Sequence, residues 1–462
     1  MKGKKHSRFY LEARQLALVL MIALPMICTT RLFGQEEDNV GYRKGIYQED
    51  DNRMRVTTDN WEFDVGLRPD VRVSGDIVED AITGATPTGA PPQNQWPFPS
   101  QAGLYQTAYK NVYTSQYSQF VSANQILVDG GVWTESQLTN YAAQYAGSQA
   151  PNIASNTAAA QFHSLTNNPN YHNNKVPLTH LHDFRFGFNL AVPITFGNNE
   201  ITPAVAYSLE SDYQSFGGSL DYARSFNQKN TTLNIGYQHD SDDVRDENFI
   251  YESKFTDNIL VGLVQLFGPK AYLTVNATVS LERGYLSDPY RGVMWRTNFV
   301  QLNPDDAGLT PEKRPGYRNS EILYASWTQF ITPANGSYEV SYRFFHDSYG
   351  IYANTLELDW HQKIGKQLVI SPMFRYYIQN AADFYYVIAP DFDNKPAYYS
   401  SDYRLSEFES FAGGVTLSWR CCKYVSLEAS YMRYAMVGLD GMTSQSAYPS
   451  ANVYTFGLRG WF

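Results

Sequence analysis

Four of the eight histidines of this 462-residue chain fall close together, at His163, His172, His180 and His182. His180 and His182 stand two apart on an incipient strand, which would put both imidazoles on one face, with Asp183 next in line. Imidazole and carboxylate donors hold zinc or copper when three or more converge. His180, His182 and Asp183 are therefore the candidate metal ligands, set against the plainer reading of polar residues at a wet strand end. His163-Ser164 raises a serine–histidine pair for lipid hydrolysis, but adjacent residues seldom meet productively and no third member is in sight. A second polar group, "HDSDDVRDEN" from His239 to Asn248, collects Asp240, Asp242, Asp243, Asp246 and Glu247. It lacks the glycine and the spacing of an EF-hand. A solvated acidic loop is expected there, with a loose divalent site as the rival reading. The run "QEDDNR" at 48–53 reads the same way.

"DAITGATPTGAPP", Asp80 to Pro92, has the look of a phosphate cradle, with Gly84 and Gly89 among small residues. Such a cradle needs a helix N-terminus behind its glycines and usually a lysine. Here "APPQNQWPFP" follows, which cannot start a helix, and no lysine appears before Lys110. The stretch is expected to be a third strand leaving the sheet for the longest loop, about 83–179. A helical patch is expected around Glu135 to Tyr145, and the loop is long enough to fold inward as a constriction.

What elements would position these residues? The start, 1–34, has a basic end and an apolar run from Leu16 to Cys28, which predicts a cleaved signal peptide. That segment holds six Lys/Arg and one Glu, so removing its +5 takes the net charge from −10 to −15. An acidic surface argues against nucleic acid as a partner. The two cysteines beyond it, Cys421 and Cys422, are adjacent; on a strand they would point to opposite faces, and no disulfide framework follows. Aromatics make up 15% of residues and charged residues only 18%, yet no apolar block after residue 34 is long enough for a membrane helix.

Alternation is the stronger signal. In "LVISPMFRYYIQN", Leu368, Ile370, Phe374, Tyr376 and Ile378 oppose Ser371, Arg375, Tyr377 and Gln379. "FAGGVTLSW", "AYLTVNATVSL" and "DFRFGFNLAV" behave likewise. Period two puts alternate side chains in different surroundings. Every second connection is tight, at 68–70, 195–199, 227–230, 267–270, 332–336, 364–366 and 420–423. The others vary, some short and some long, at about 83–179, 242–253, 283–319, 381–402 and 437–450. Unequal rims are the layout of a membrane barrel. The fold expected is all-β: a transmembrane antiparallel up-and-down β-barrel of about sixteen strands, with short periplasmic turns and long extracellular loops. In the last strand, Tyr454, Phe456 and Leu458 share a face and the chain ends on Phe462, the form of a signal for the barrel assembly machinery. The candidate lumen-facing charges are Arg185, Asp221, Glu282, Glu339, Arg343, Glu357, Asp359 and Arg375, mixed in sign.

Several segments resemble one bacterial family, catalogued as domain of unknown function number 3570. They include "YQEDDNRMRV", "ERGYLSDPYR" at 282–291, "RPGYRNS" at 314–320, "YRFFHDSYGIYANTLEL" at 342–358, "RYYIQNAADFYY" at 375–386 and "SDYRLSEFESFAGGV" at 401–415. The resemblance implies a Gram-negative outer-membrane barrel and brings no reaction, cofactor or catalytic residue. Asp288, Pro289, Tyr290 and Arg291 fall where a strand end is expected, either shaping a mouth or simply ending the strand. The expectation is a non-enzymatic pore, export conduit or scaffold, needing no cofactor, with outer-membrane lipid, lipopolysaccharide and periplasmic or lipoprotein partners. Its rival is a metal-binding or lipid-modifying barrel using the histidine-rich loop.

Overall fold

Side chains that alternate between two surroundings call for a sheet with two different faces, and an isolated sheet would leave its edge amides unpaired. The chain resolves this by closure. The computed structural model describes residues 37–95, 101–167, 174–295, 309–390 and 394–462. Its barrel strands are β1 (Asn39–Glu49), β2 (Met54–Arg68), β3 (Val71–Pro87), β4 (Leu178–Ala191), β5 (Asn199–Leu209), β6 (Tyr213–Phe226), β7 (Thr231–Arg245) and β8 (Tyr251–Leu266). They continue as β9 (Ala271–Gly284), β10 (Tyr317–Ile331), β11 (Gly336–Asp347), β12 (Tyr352–Ile364), β13 (Leu368–Gln379), β14 (Phe408–Trp419), β15 (Val425–Gly438) and β16 (Ser450–Trp461). Each pairs antiparallel with its chain neighbours, and β16 pairs with β1 from Ala451↔Glu49 to Trp461↔Asn39. The result is a closed barrel of sixteen strands. The signal peptide expected at 1–34 lies outside the described residues.

β4 is interrupted where the sequence demands it. Pro193 has no N–H to donate, so the ladder breaks after Ala191 and resumes at Ile194–Phe196. Pro193 still accepts from the Arg72 N–H at 3.0 Å, and Val192 donates to the Pro203 carbonyl at 3.0 Å.

The rims differ as the spacing of turn residues predicts. On one rim the connections are 69–70, 197–198, 227–230, 267–270, 332–335, 365–367 and 420–424. On the other they are 50–53, 88–177, 210–212, 246–250, 285–316, 348–351, 380–407 and 439–449. One expected long loop is absent. The stretch 242–253 is mostly strand, because β7 and β8 run on to Arg245 and from Tyr251. The acidic run is therefore laid along a sheet: Asp242 is buried beside Lys254, and Asp246 caps the turn by accepting from the Asn248 and Ile250 amides. "QEDDNR" closes the β1–β2 turn, where Asp50 pairs with Arg433. Cys421 and Cys422 sit in the β14–β15 turn, off the strands, as free thiols.

The outward face is apolar. In β14, Phe411, Val415, Leu417 and Trp419 are 37–47% exposed, and in β16 Tyr454, Phe456 and Leu458 are 39–54% exposed. Cross-strand register carries these rows around the barrel, as in Leu417↔Ala429↔Phe456 and Leu233↔Leu263↔Val275. The other parity is small or polar, for example Thr416, Ser430 and Thr455 in register.

The longest connection folds on itself. α1 (Gln101–Asp129) and α2 (Glu135–Asn167) form an antiparallel hairpin, far more helix than the expected patch. In α2, Leu138, Ala142, Ala146, Ala150, Ala154 and Ala158 recur every four residues, fully or almost fully buried. That stripe seats on α1, and among the described residues neither helix packs to any extent on a strand. No described helix is long and apolar enough to cross a membrane.

Candidate functional site

Two features offer chemistry: the polar inner wall and a cap over the long-loop rim. The eight charged residues singled out in the sequence all lie on the parity opposite the exposed apolar rows. They do not form one site. Arg185 pairs with Asp80 at 2.8 Å on β3–β4, Asp221 stands alone of the eight on β6, and Glu282 meets Lys254 at 3.8 Å on β8–β9. The remaining five share the wall of β11–β13. There Glu357 faces Arg375 at 3.8 Å, Glu339 accepts from Thr328 at 3.2 Å and lies in register with Asp359, and Arg343 lies above them.

The candidate metal ligands are separated by the same parity. His180 and His182 are exposed on the face shared with Phe184 and Phe188, while Asp183 lies on the other face. There Asp183 joins Glu210 and Asp212, with ligand atoms of the three within 4.8 Å of one another. Burial pushes the Glu210 carboxyl up to about 7, against the pull of Arg185 and with the help of Asp183 and Asp212. Asp212 also accepts from the Tyr290 hydroxyl. His163 is exposed beside Asn167, at 2.6 Å, and His172 lies outside the described residues.

The cap is made by segments that leave the barrel on nearly opposite walls. Gly292, between β9 and β10, donates its N–H to the Thr88 carbonyl beyond β3 at 2.8 Å, and Met294 is buried with Ala90. Staves six or seven apart in a ring of sixteen face each other across the mouth, so these contacts span it. Ala389 donates to the Met294 carbonyl at 2.8 Å, and Lys313 and Tyr399 exchange backbone hydrogen bonds at 2.9 Å. Trp295, fully buried, stacks edge-on against Tyr399. Gly89 answers the question its stretch raised. Its φ of +96° and its contact with the Gly292 carbonyl, which a Cβ would overlap, require glycine for close backbone approach and not for phosphate.

At the centre of the cap sits an ion cluster. Asp402, 1% exposed, accepts from Arg314 at 2.7 Å and from Arg404 Nε at 2.9 Å, with Arg291 Nε at 3.7 Å. Glu312 lies 2.7 Å from Arg314 and accepts from the Asp288 N–H at 2.5 Å, and Asp288 in turn meets Arg404. Three guanidiniums thus face three carboxylates, supplied by loops 285–316 and 380–407. Burial pushes Asp402 up, but Arg404, Arg314 and Arg291 outweigh it and hold the carboxyl well below the usual range. Burial pushes Glu312 up, opposed by Arg314. Arg291 is 5% exposed, donates to Thr86 Oγ1 at 2.7 Å, and leaves Nε and Nη1 without hydrogen-bond acceptors.

Asp288, Pro289, Tyr290 and Arg291 therefore sit past the end of β9, inside the cap, where two of the four belong to its ion cluster. Glu312, Arg314, Asp402 and Arg404 were not singled out from sequence. Their one trace was membership of the segments "RPGYRNS" and "SDYRLSEFESFAGGV", or adjacency to them. Of the last-strand residues, Tyr454, Phe456 and Leu458 face outward, and Phe462 donates its N–H to the Asp38 carbonyl at 2.9 Å across the closing seam.

Among solved structures the chain is similar to the siderophore receptor PirA from Pseudomonas aeruginosa (8% identity, TM-score 0.36), covering 94% of this chain and 62% of that one. It is also similar to a bacterial polysaccharide outer membrane secretin (7%, TM-score 0.42), over 92% of this chain and 98% of that one. A BenF-like porin from Pseudomonas fluorescens Pf-5 gives 7% identity and a TM-score of 0.40, over the same shares. These likenesses are too distant for anything to be carried from those proteins to this one, and the chain spans less than two thirds of PirA. No curated protein matches. The profile of the family described as protein of unknown function (DUF3570) matches residues 29–257 and 237–448, nearly the whole chain, and the chain belongs to that family.

Proposed function

We propose that this protein is a Gram-negative outer-membrane barrel that serves as a capped, non-enzymatic conduit for polar solutes. One observation carries the reading: a closed sixteen-strand ring with apolar rows outside and small or polar side chains inside. In hydrocarbon an unpaired strand edge costs several kcal/mol per group, so closure suits residence in lipid. Barrels of this strand number are wide enough for an aqueous channel. The short-turn rim is assigned to the periplasm and the capped rim to the outside, and export depends on the signal peptide expected at 1–34. Lipid, lipopolysaccharide and the barrel assembly machinery are the partners implied.

The ion-paired cap makes the resting state closed. Planar-bilayer recording on the purified protein tests this, with small or absent unitary steps at rest and large ones once the cap is loosened. A protein that stays dissolved without detergent, or that never conducts even after cap residues are altered, ends the reading. The hairpin α1–α2 favours scaffolding as an added role, since it packs on itself and leaves Ile126 and Val132 exposed by 74% and 66%.

A further inference from the structure

We propose that the inner wall under the cap is a binding site for a multiply charged oxyanion, a small solute bearing carboxylate or phosphate groups, with Arg343 as its principal contact. A pocket of about 280 Å³ opens there, lined by Arg314, Arg318, Arg343, Arg404, Tyr377 and Gln379. Three of these guanidiniums are answered. Arg314 meets Glu312 and Asp402, Arg404 meets Asp402 and Asp288, and Arg318 donates to Asp347 at 2.7 Å. Arg343 is not: among the described residues no carboxylate lies within 4 Å of it. It rests over the Phe345 ring at 5.3 Å.

The register explains why. The inner-face neighbours of Arg343 are Tyr324 on β10 and Thr355 on β12, neither of them acidic. The carboxylates of that wall begin one step lower, where Glu357 lies opposite Ser341 and is engaged by Arg375. Arg343 is thus a cation facing a pocket in which every other charge is already paired. A partly desolvated guanidinium without a counter-charge is unfavourable, and an incoming oxyanion removes that penalty. The planar fork of arginine suits the bidentate geometry of carboxylate and phosphate. Arg404, Asp402 and Leu405 belong to the cap and line the same pocket, so occupancy and cap closure are coupled.

This inference rests on the conduit reading, and direct binding keeps the two separable. The full-length protein in detergent is titrated calorimetrically with inorganic phosphate and, in a second arm, with citrate, each against chloride at matched ionic strength. Saturable binding of at least one is expected, and the arm that binds identifies the source of the oxyanion. R343Q is expected to weaken it tenfold or more, R343K to keep part of it, and the outer-face variant E321Q to leave it unchanged. No binding in either arm, or R343Q equal to wild type, overturns the site. If R343Q does not fold, phenylglyoxal modification of wild-type Arg343 is read by mass spectrometry with and without phosphate and citrate. Protection supports the site and equal modification refutes it. A barrel that conducts but binds neither anion overturns this site alone and leaves the conduit standing.

Discussion

Replacing Asp402 by Asn removes one negative charge from the centre of the cap without changing its volume. Asp402 is 1% exposed and answers Arg314 and Arg404 at hydrogen-bond distance, with Arg291 just beyond. In D402N these three arginines retain only Glu312 and Asp288 as counter-charges. Breaking a buried ion pair by removing one partner costs about 3–5 kcal/mol, because the other charge stays buried and uncompensated. At 1.4 kcal/mol per tenfold, that shifts the closed-to-open ratio of the cap by roughly 10² to 10³ or more. The barrel ladders are untouched, so heat-modifiable migration on a gel should stay as in wild type. Limited trypsin digestion reports the cap itself, since cleavage after Arg291, Lys313 or Arg404 needs a locally extended backbone, and in the closed cap these three backbone amides are hydrogen-bonded to Asp288, Tyr399 and Asp402. D402N should be cut in 285–316 and 380–407 many times faster than wild type and should conduct in bilayers. The acid response has a definite sign. A carboxyl held below its usual range contributes stability above its unfolded value, and that contribution is lost only as pH falls through the depressed folded value. The wild-type cap should therefore resist an acid protease such as pepsin at about pH 4, near the ordinary aspartate value. Equal digestion of D402N and wild type would refute the argument that this cluster holds the cap shut.

G89A places a Cβ against the Gly292 carbonyl at a positive φ, so it should detach the β3 end of the cap and raise trypsin cleavage in 285–316 without changing detergent-extracted yield. Glu210, raised to about 7, is neutral in the folded protein over a range where the unfolded chain is ionised, so its contribution to stability falls as pH rises from about 4.5 to about 7. E210Q should flatten the melting temperature of the long-loop rim over that window, and an unchanged pH profile would count against the burial argument. L323R puts a charge on an outward position that is 55% exposed, at a cost of about 2–4 kcal/mol if the site lies in mid-bilayer. Urea titration in liposomes should show that loss, and a neutral result would mean Leu323 does not face hydrocarbon. The R343Q oxyanion titration completes the set.

The rows of β13 and β14 and the seven tight turns were legible because alternation and turn chemistry are local, each decided within a few residues. The same rule was available against one expectation. His182 and Asp183 differ by one position, so period two alone sends them to opposite faces. The helices were legible only in part, since Leu138 and the alanines after it make a stripe whose meaning depends on a second helix to cover it. The acidic run at 239–248 misread as a loop because polar residues on an inward strand face look the same as polar residues in solvent.

By itself the sequence determined which side chains of each strand share a face and where the chain turns, because both follow from backbone geometry over two to five residues. Only the tertiary structure decided that Arg291, Arg314, Asp402 and Arg404 meet, and that Arg343 is left without a counter-charge among the described residues. Those residues stand on separate loops and staves, and their distances are set by the closing of β16 onto β1. Ring closure brings loops from opposite walls over one mouth, and no local pattern in the chain encodes that separation.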